Sequence, residues 1–151
     1  MDRDESVKFA KEYLENIISF FDVNVDVAAD ENDGIITLSV PSTSVNSILI
    51  GRGAETLRSL QYLISTTLRQ KNADIQRVNL DIADYKKQRA DKIATQARGW
   101  IDRVLETGHA YTAHLGAADR FVVHGVAAEY EGIQTHSEGE GRDRVLIIEK
   151  K

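Results

Sequence analysis

A short turn between two alternating segments most constrains how this chain folds. Residues 23–27 and residues 36–40 both alternate apolar with polar side chains, and residues 31–34, Glu-Asn-Asp-Gly, lie between them. Two strands joined by so short a loop pair with each other in antiparallel fashion. We therefore expect a β-hairpin whose second strand ends at Pro41, the only proline in the chain.

Helical patterns surround the hairpin. Apolar residues recur at steps of three and four over residues 4–21 and 54–70, which predicts two amphipathic helices. A short helix through Ile48, capped by Ser42 or Thr43, and a third strand over residues 76–83 complete the pattern. The order α-β-β-α-α-β predicts an α+β unit over residues 1–84, in which the third strand must cross over the helices.

A second, small α/β unit is predicted over residues 85–151. A long helix is predicted to open at residue 85 and to end at Gly108, with an apolar stripe over residues 93–104. Residues 117–130 form another helical pattern, and residues 132–136 and 144–148 read as strands joined by a polar loop.

Charge is unevenly distributed along the chain. The formal net charge is −5, yet residues 51–103 carry eleven basic against six acidic residues. Because salt screens surface fields beyond roughly 8 Å, a local basic strip can attract phosphate despite the net charge. The absence of cysteine excludes disulfides and thiolate metal sites. No apolar run reaches eighteen residues and the N-terminus is charged, so we expect a cytoplasmic protein without membrane insertion.

Small residues separate the second and third predicted helices. Gly51 and Gly53 have no Cβ, so a ligand backbone can approach closely, and Arg52 would meet a phosphate. The start of the next helix adds a partial positive charge. Glycine also occurs in helix-helix turns for steric reasons alone, which leaves a purely structural role open.

A second candidate site is the pair Arg120 and His124. Residues four apart lie on one face of a helix, whereas Val122 and Val126 are expected on the other side. An arginine can donate two N–H bonds to a phosphate, and a histidine adds a donor or a stacking plane. The spacing is common, so a surface arginine beside an incidental histidine remains the alternative.

The surroundings of the glycine loop resemble a known family. Residues 49–63, between the second and third helices of an α-β-β-α-α-β unit, resemble the GxxG segment of a type II KH domain. In KH domains this loop clamps about four nucleotides of a single-stranded backbone. Ala54 replaces the last glycine, which predicts less backbone freedom and a methyl group near the phosphate path.

The second unit resembles an R3H domain, a module that binds single-stranded nucleic acids. The resemblance rests on residues 119–124, 132–141 and 144–148, with Asp119 where a glutamate is more usual. KH followed directly by R3H is similar to the bacterial Jag family, also called SpoIIIJ-associated or KhpB-type proteins. The resemblance implies a cytoplasmic RNA-binding protein in post-transcriptional regulation, acting as a homodimer or with a small KH partner. Many members carry a further Jag-N domain, and we expect none within residues 1–151.

Together these features predict a non-enzymatic binder of single-stranded RNA, or of single-stranded DNA, that uses no cofactor and no metal. It would act as a post-transcriptional regulator or RNA chaperone, with bases lying near Ile50 and Val40. An alternative is a protein-interaction adaptor that keeps the KH-R3H fold with weakened RNA binding. The candidate nucleic-acid-binding residues are Gly51, Arg52, Gly53, Ala54, Arg58, Arg120, His124, Ser137, Arg142 and Arg144.

Other chemistries have weaker support. His109 and His114 are five residues apart, which does not match a helical metal pair, and no acidic cluster completes a ligand set. The segment His136-Ser137-Glu138 holds the residue types of a catalytic triad, but sequence neighbours cannot easily orient one another. A loop contact, with Ser137 bonding a phosphate or capping the turn, is favoured instead.

Overall fold

A computed structural model describes residues 1–151. The chain forms two compact units, Met1–Lys86 and Lys87–Lys151, and each has its own hydrophobic core. The mixed α+β class predicted from the sequence is confirmed.

The first unit has the element order α-β-β-α-α-β. Its elements are α1 (Arg3–Ser19), β1 (Ala28–Asn32), β2 (Ile35–Val40), α2 (Asn46–Ile50), α3 (Glu55–Gln70) and β3 (Arg77–Ile82), with a 3₁₀ turn at Arg52–Ala54. A capping box begins α1, because Asp2 accepts a hydrogen bond from the Glu5 amide at 2.8 Å and Glu5 accepts one from the Asp2 amide at 2.9 Å. Such a cap stabilises a helix by about 1 kcal/mol.

The hairpin forms, but its first strand lies later in the chain than predicted. Asp33 and Gly34 connect β1 to β2 with φ of +52° and +77°. Two consecutive positive φ values define the turn whose twist suits paired antiparallel strands. The ladder grows outward from this turn, so the polar segment Ala28–Asn32 forms the strand. The prediction of a strand over residues 23–27 was wrong, since this segment is irregular and buries only Val27.

The first sheet has the strand order β1-β2-β3, and β2 runs antiparallel to β1 and parallel to β3. Alternate residues of β2 and β3 face the helices and form the centre of the core. The fully or nearly fully buried side chains of these strands are Ile36, Leu38, Val40, Val78, Leu80 and Ile82. Helices α1 and α3 cover this face with Leu14, Ile18, Ile64 and Leu68.

Helix α2 begins later than predicted. Its N-cap position is Val45, which makes no side-chain cap bond. Thr43 lies in a turn before the helix, where its Oγ1 accepts a hydrogen bond from the Val45 amide at 3.2 Å. Capping by Ser42 or Thr43 was therefore a wrong prediction, because the local turn satisfies the Thr43 hydroxyl first.

The second unit is built on a three-stranded antiparallel sheet of order β4-β6-β5. Its elements are α4 (Tyr85–Thr107), which begins at the end of the first unit, β4 (Tyr111–Ala113), α5 (Ala117–Ala127), β5 (Ile133–Glu138) and β6 (Val145–Lys150). Ile93 and Ile101 of α4, Val123 of α5, and Leu146 and Ile148 of β6 share one core. No helix of the chain combines the length and apolar character needed to cross a bilayer.

Candidate nucleic-acid interface

The 51–54 loop requires a glycine at its first position. Gly51 ends α2 with φ of +76°, in the region that disfavours side chains. A Cβ at this position would lie 2.3 Å from Oγ1 of Thr56 and 2.9 Å from its backbone nitrogen. The chain therefore passes the start of α3 at a distance that only glycine permits.

The next two small residues also adopt left-handed conformations. Gly53 has φ of +59° and Ala54 has φ of +61°, and for an alanine this region costs about 1–2 kcal/mol. We expected the Ala54 methyl near the phosphate path, and this was wrong. Ala54 is only 8% exposed and belongs to the core cluster with Leu49 and Leu57. Burial of the methyl group offsets part of the cost of the left-handed backbone. The outer surface of the loop is therefore free of this methyl group.

Two arginines lie at this loop in different ways. Arg52 is exposed, and its side chain makes no hydrogen bond or ion pair. Arg58, one turn into α3, donates from Nη1 to the carbonyl oxygen of Gly53 at 2.6 Å. Since a guanidinium has five N–H donors, Arg58 can hold the loop in shape and still offer donors to an anion.

The residues expected to line an apolar groove beside this loop are largely covered. Val40 is 3% exposed and lies within the sheet core, and Ile50 is half-buried against the same cluster. The prediction that bases lie near Val40 is therefore wrong, because alternation along β2 directs this residue toward the helices.

In the second unit, Arg120 lies on α5 and reaches back to the segment before it. Its Nη1 donates to the carbonyl oxygen of Leu115 at 2.6 Å. This bond ties the half-buried arginine to the chain that enters the helix at Gly116. The remaining guanidinium N–H groups make no hydrogen bond, so they are available to an anion.

His124 lies one turn after Arg120 and contacts β5 through both ring nitrogens. Its Nδ1 lies 2.6 Å from Oγ1 of Thr135, and its Nε2 lies 3.3 Å from Oγ of Ser137. Thr135 and Ser137 are two residues apart, so they project from the same face of the strand. The ring is thereby fixed between the helix and the sheet.

The electrostatics of this site disfavour the protonated form of His124. Burial lowers the pKa of His124 below its ordinary value, and the charges of Arg120 and Arg144 lower it further. Arg144, which directly precedes β6, is thus a second cation that acts on the same imidazole. The positive charge of the site comes from the two arginines, and an anion bound between them would favour protonation of the ring.

Arg144 and Arg142 flank the loop between β5 and β6. Arg144 donates from Nη1 to the carbonyl oxygen of Gly139 at 2.8 Å. Gly139 has φ of +90°, and a Cβ there would lie 3.1 Å from the Asp143 carbonyl oxygen. Arg142 lies in the 3₁₀ turn Gly141–Asp143, is exposed and makes no hydrogen bond or ion pair. The loop therefore fixes the Arg144 side chain, whose charge acts on His124, and leaves Arg142 in solvent.

Residues 91–150 match the family model of the R3H domain. The match includes α5, β5 and β6, and therefore contains Arg120, His124, Ser137, Arg142 and Arg144.

Several curated proteins resemble the chain over both units. An RNA-binding protein KhpB of Clostridium symbiosum is 28% identical over 144 residues, covering 94% of this chain and 65% of the relative. One from Streptococcus pneumoniae is 27% identical over 138 residues, covering 91% of this chain and 42% of the relative. One from Bacillus subtilis is 25% identical over 150 residues, with 97% and 72% covered. The chain spans from about two fifths to two thirds of the length of the first two relatives.

The candidate residues thus form two groups, one in each unit. In the first, the chain itself brings together Gly51, Arg52, Gly53, Ala54 and Arg58. In the R3H-matching segment, tertiary packing brings Arg120, His124, Ser137 and Arg144 together, and Arg142 lies apart on the exposed turn.

Sequence reasoning missed two contacts that support the second group. Thr135 was not singled out, although its position two residues before Ser137 on a strand could have indicated a shared face. Asp119 forms an ion pair with Arg89 of α4, with Oδ2 and Nη2 3.0 Å apart. This pair fastens the first turn of α5 to α4, and no local pattern indicates a contact across thirty residues.

The segment 136–138 does not assemble a catalytic triad. His136 bonds Glu138 with 2.9 Å between Nε2 and Oε1, and its Nδ1 lies 3.4 Å from Oε1 of Glu149. Ser137 faces α5 instead, because adjacent strand residues point to opposite sides of a sheet. No three histidine, aspartate or glutamate side chains converge in a way that could hold a metal ion.

Proposed function

We propose that this chain is an RNA-binding protein that holds single-stranded RNA by its phosphate backbone and catalyses no reaction. The main support is the site where His124 is held against Thr135 and Ser137 within reach of the charges of Arg120 and Arg144, inside the segment that matches the R3H domain. The relatives that resemble both units carry the name RNA-binding protein KhpB.

In the proposed second domain, residues 85–151, Arg120 and Arg144 supply the charge that binds phosphate. Each already donates one hydrogen bond to a backbone carbonyl, which fixes the side chain and lowers the entropy lost on binding. The 3.3 Å contact between His124 Nε2 and Ser137 Oγ is long for a hydrogen bond. A phosphate oxygen can replace it, with Ser137 and His124 as donors, and the exposed Arg142 on its separate turn is a further cation for the same strand.

We propose that residues 1–84 form a type II KH domain, whose 51–54 loop also contacts the backbone of single-stranded RNA. The bare outer surface of Gly53, where a Cβ would meet nothing within 4 Å, allows close approach. Arg52 supplies the unpaired charge, and Arg58 keeps the loop in shape from α3. Gly51 and Ala54 act through backbone conformation, since the first cannot carry a Cβ and the second is buried.

Two phosphate-binding units on one chain give a moderate affinity with little sequence preference. When two sites engage one strand, the second contact forms at a high effective concentration. Such a protein suits a cytoplasmic post-transcriptional regulator or RNA chaperone, which must bind many transcripts and release them. We infer single-stranded DNA as a further ligand, and a homodimer or a small KH protein as the associated partner.

Titration of a labelled single-stranded RNA at low salt tests the assignment. Arg52→Ala and Arg120→Ala should each weaken binding by about five- to tenfold, because a charge-assisted contact contributes on the order of 1–1.5 kcal/mol. Lys8→Ala is the control, since Lys8 is an exposed cation of α1 outside the basic stretch 51–103 and its side chain makes no hydrogen bond or ion pair. Wild-type affinity in both site variants, or an equal loss in the control, rejects the assignment.

A protein-interaction adaptor is the second candidate. Tyr62 and Leu63 are adjacent apolar residues of α3 with 70% and 45% exposure, a surface of the kind that a protein partner covers. Ultraviolet cross-linking in cells separates the two candidates, because a direct RNA binder yields RNA covalently attached to this chain. An adaptor yields none, whatever protein it associates with.

A further inference from the structure

One apolar ring stands out in the second unit. Phe121 on α5 is 80% exposed, whereas the other exposed large apolar residue of this unit, Leu105, reaches only 36%. Burial of a phenylalanine stabilises a fold, but Phe121, the residue after Arg120, contributes little of this stabilisation because it is exposed. Exposure alone assigns no role, since Phe20 of the first unit is 86% exposed, but Phe121 differs from it in following Arg120 on the same helix.

The helix leaves the surface around this ring open. Residues one turn before and one turn after Phe121 are Ala117 and Gly125, both exposed. A Cβ added to Gly125 would meet nothing within 4 Å. No long side chain of the same helical row can therefore cover the ring, and a flat group can lie against it.

The ring also lies next to the charged site. At about 100° per residue, Phe121 is turned about 60° from His124 around α5. His124 in turn is close enough to Arg120 and Arg144 for both charges to act on it. A phosphate held at these residues would place the adjoining base of the same strand on the side of the helix where Phe121 lies.

We propose that Phe121 is a base-stacking residue, on which an unpaired nucleobase lies while the adjoining phosphate binds at Arg120, His124 and Arg144. This inference rests on the proposed function and names its ligand more closely. Aromatic rings stack on every kind of base, so the contact does not depend on the nucleotide sequence. It does require a base that is not paired with another strand. It gives the site a preference for single strands over duplexes that phosphate contacts alone do not provide.

Titration of a fluorescent single-stranded RNA with the full chain tests the proposal. Phe121→Ala should weaken binding by about 5- to 150-fold, the range found for loss of one stacked base. The salt dependence should stay unchanged, because no charge is lost. Phe20→Ala is the matched control, since Phe20 is 86% exposed in the first unit, at the end of α1, and should bind as the wild type does.

Phe121→Trp gives a readout that a purely structural role would not move. Stacking should quench the fluorescence of the new indole with an ordinary strand and not with a strand of abasic sites, against the background of Trp100 in the wild type. An unchanged affinity of Phe121→Ala, or equal quenching by the abasic strand, overturns the stacking role. If the wild type itself binds no single strand, the proposed function fails as well, and the two failures are thereby distinguished.

Discussion

Nδ1 of His124 on α5 lies 2.6 Å from Oγ1 of Thr135 on β5, and this hydrogen bond links the helix to the strand at the charged site. The other ring nitrogen has only the 3.3 Å contact with Ser137. The strong bond therefore orients the ring, and the weak one is the position where a ligand atom can enter.

Thr135→Val tests this division of roles. Valine keeps the shape of threonine and removes the hydroxyl, so the half-buried Nδ1 loses its partner and the free energy of unfolding should fall by about 1 kcal/mol. Ser137→Ala, the matched control, removes the weaker contact and should cost less. Urea unfolding of both variants measures the difference, and a larger loss in Ser137→Ala contradicts the assignment.

His124 should make the stability of the protein depend on pH. Burial and the charges of Arg120 and Arg144 hold its pKa in the folded state below the unfolded value of about 6.5. As pH falls through this value, the unfolded chain takes up the proton first, so stability decreases below about pH 6.5. The free energy of unfolding should fall more steeply from pH 7.5 to pH 5.5 in the wild type than in His124→Gln. Parallel curves for the two proteins would refute this prediction.

Two glycine substitutions in the 51–54 loop should differ in cost. Gly51→Ala forces a Cβ to within 2.3 Å of Thr56 Oγ1 at a positive φ, so we expect a loss of about 3 kcal/mol or more. In Gly53→Ala the added Cβ contacts no atom, so the only cost is that of an alanine in the left-handed conformation, about 1–2 kcal/mol. Thermal or urea unfolding ranks the two, and equal losses would show that the Thr56 contact relaxes without cost.

Ala54→Gly should change little, although it restores the full GxxG pattern. Relief of the positive φ, about 1–2 kcal/mol, is offset by the loss of a buried methyl of about 0.8 kcal/mol and by the greater backbone entropy of glycine. Since the methyl is buried, RNA affinity should remain that of the wild type. A marked gain in RNA affinity of Ala54→Gly on titration would mean that the Ala54 side chain weakens RNA binding at the loop.

The extent to which the fold could be predicted differed between elements. Long amphipathic helices such as α3 were predicted to within a residue or two, because their burial pattern repeats over several turns. Strand β1 was misplaced because the valines of residues 23–27 alternate more clearly than its own polar sequence, and only pairing with β2 selects it. Strand β4, three residues long, carries too short a pattern to be recognised.

The candidate site was predictable where it depends on local spacing. The positions of Arg120 and His124 one turn apart on α5 follow from the helical period, and that arrangement is confirmed. The contacts of His124 with Thr135 and Ser137 depend on how α5 packs against β5, which no local pattern encodes. The inward orientation of the Ala54 methyl likewise follows from its positive φ, which a sequence of small residues does not specify.

The most direct test is the salt dependence of binding to a labelled single-stranded RNA by the wild type and by the double variant Arg120→Ala/Arg144→Ala. Each phosphate contact contributes about 0.7 to the slope of log affinity against log salt concentration for a single strand. We predict that the double variant binds more weakly and that its slope is smaller by about 1.4. A slope equal to that of the wild type would contradict the claim that these two arginines bind the phosphate backbone.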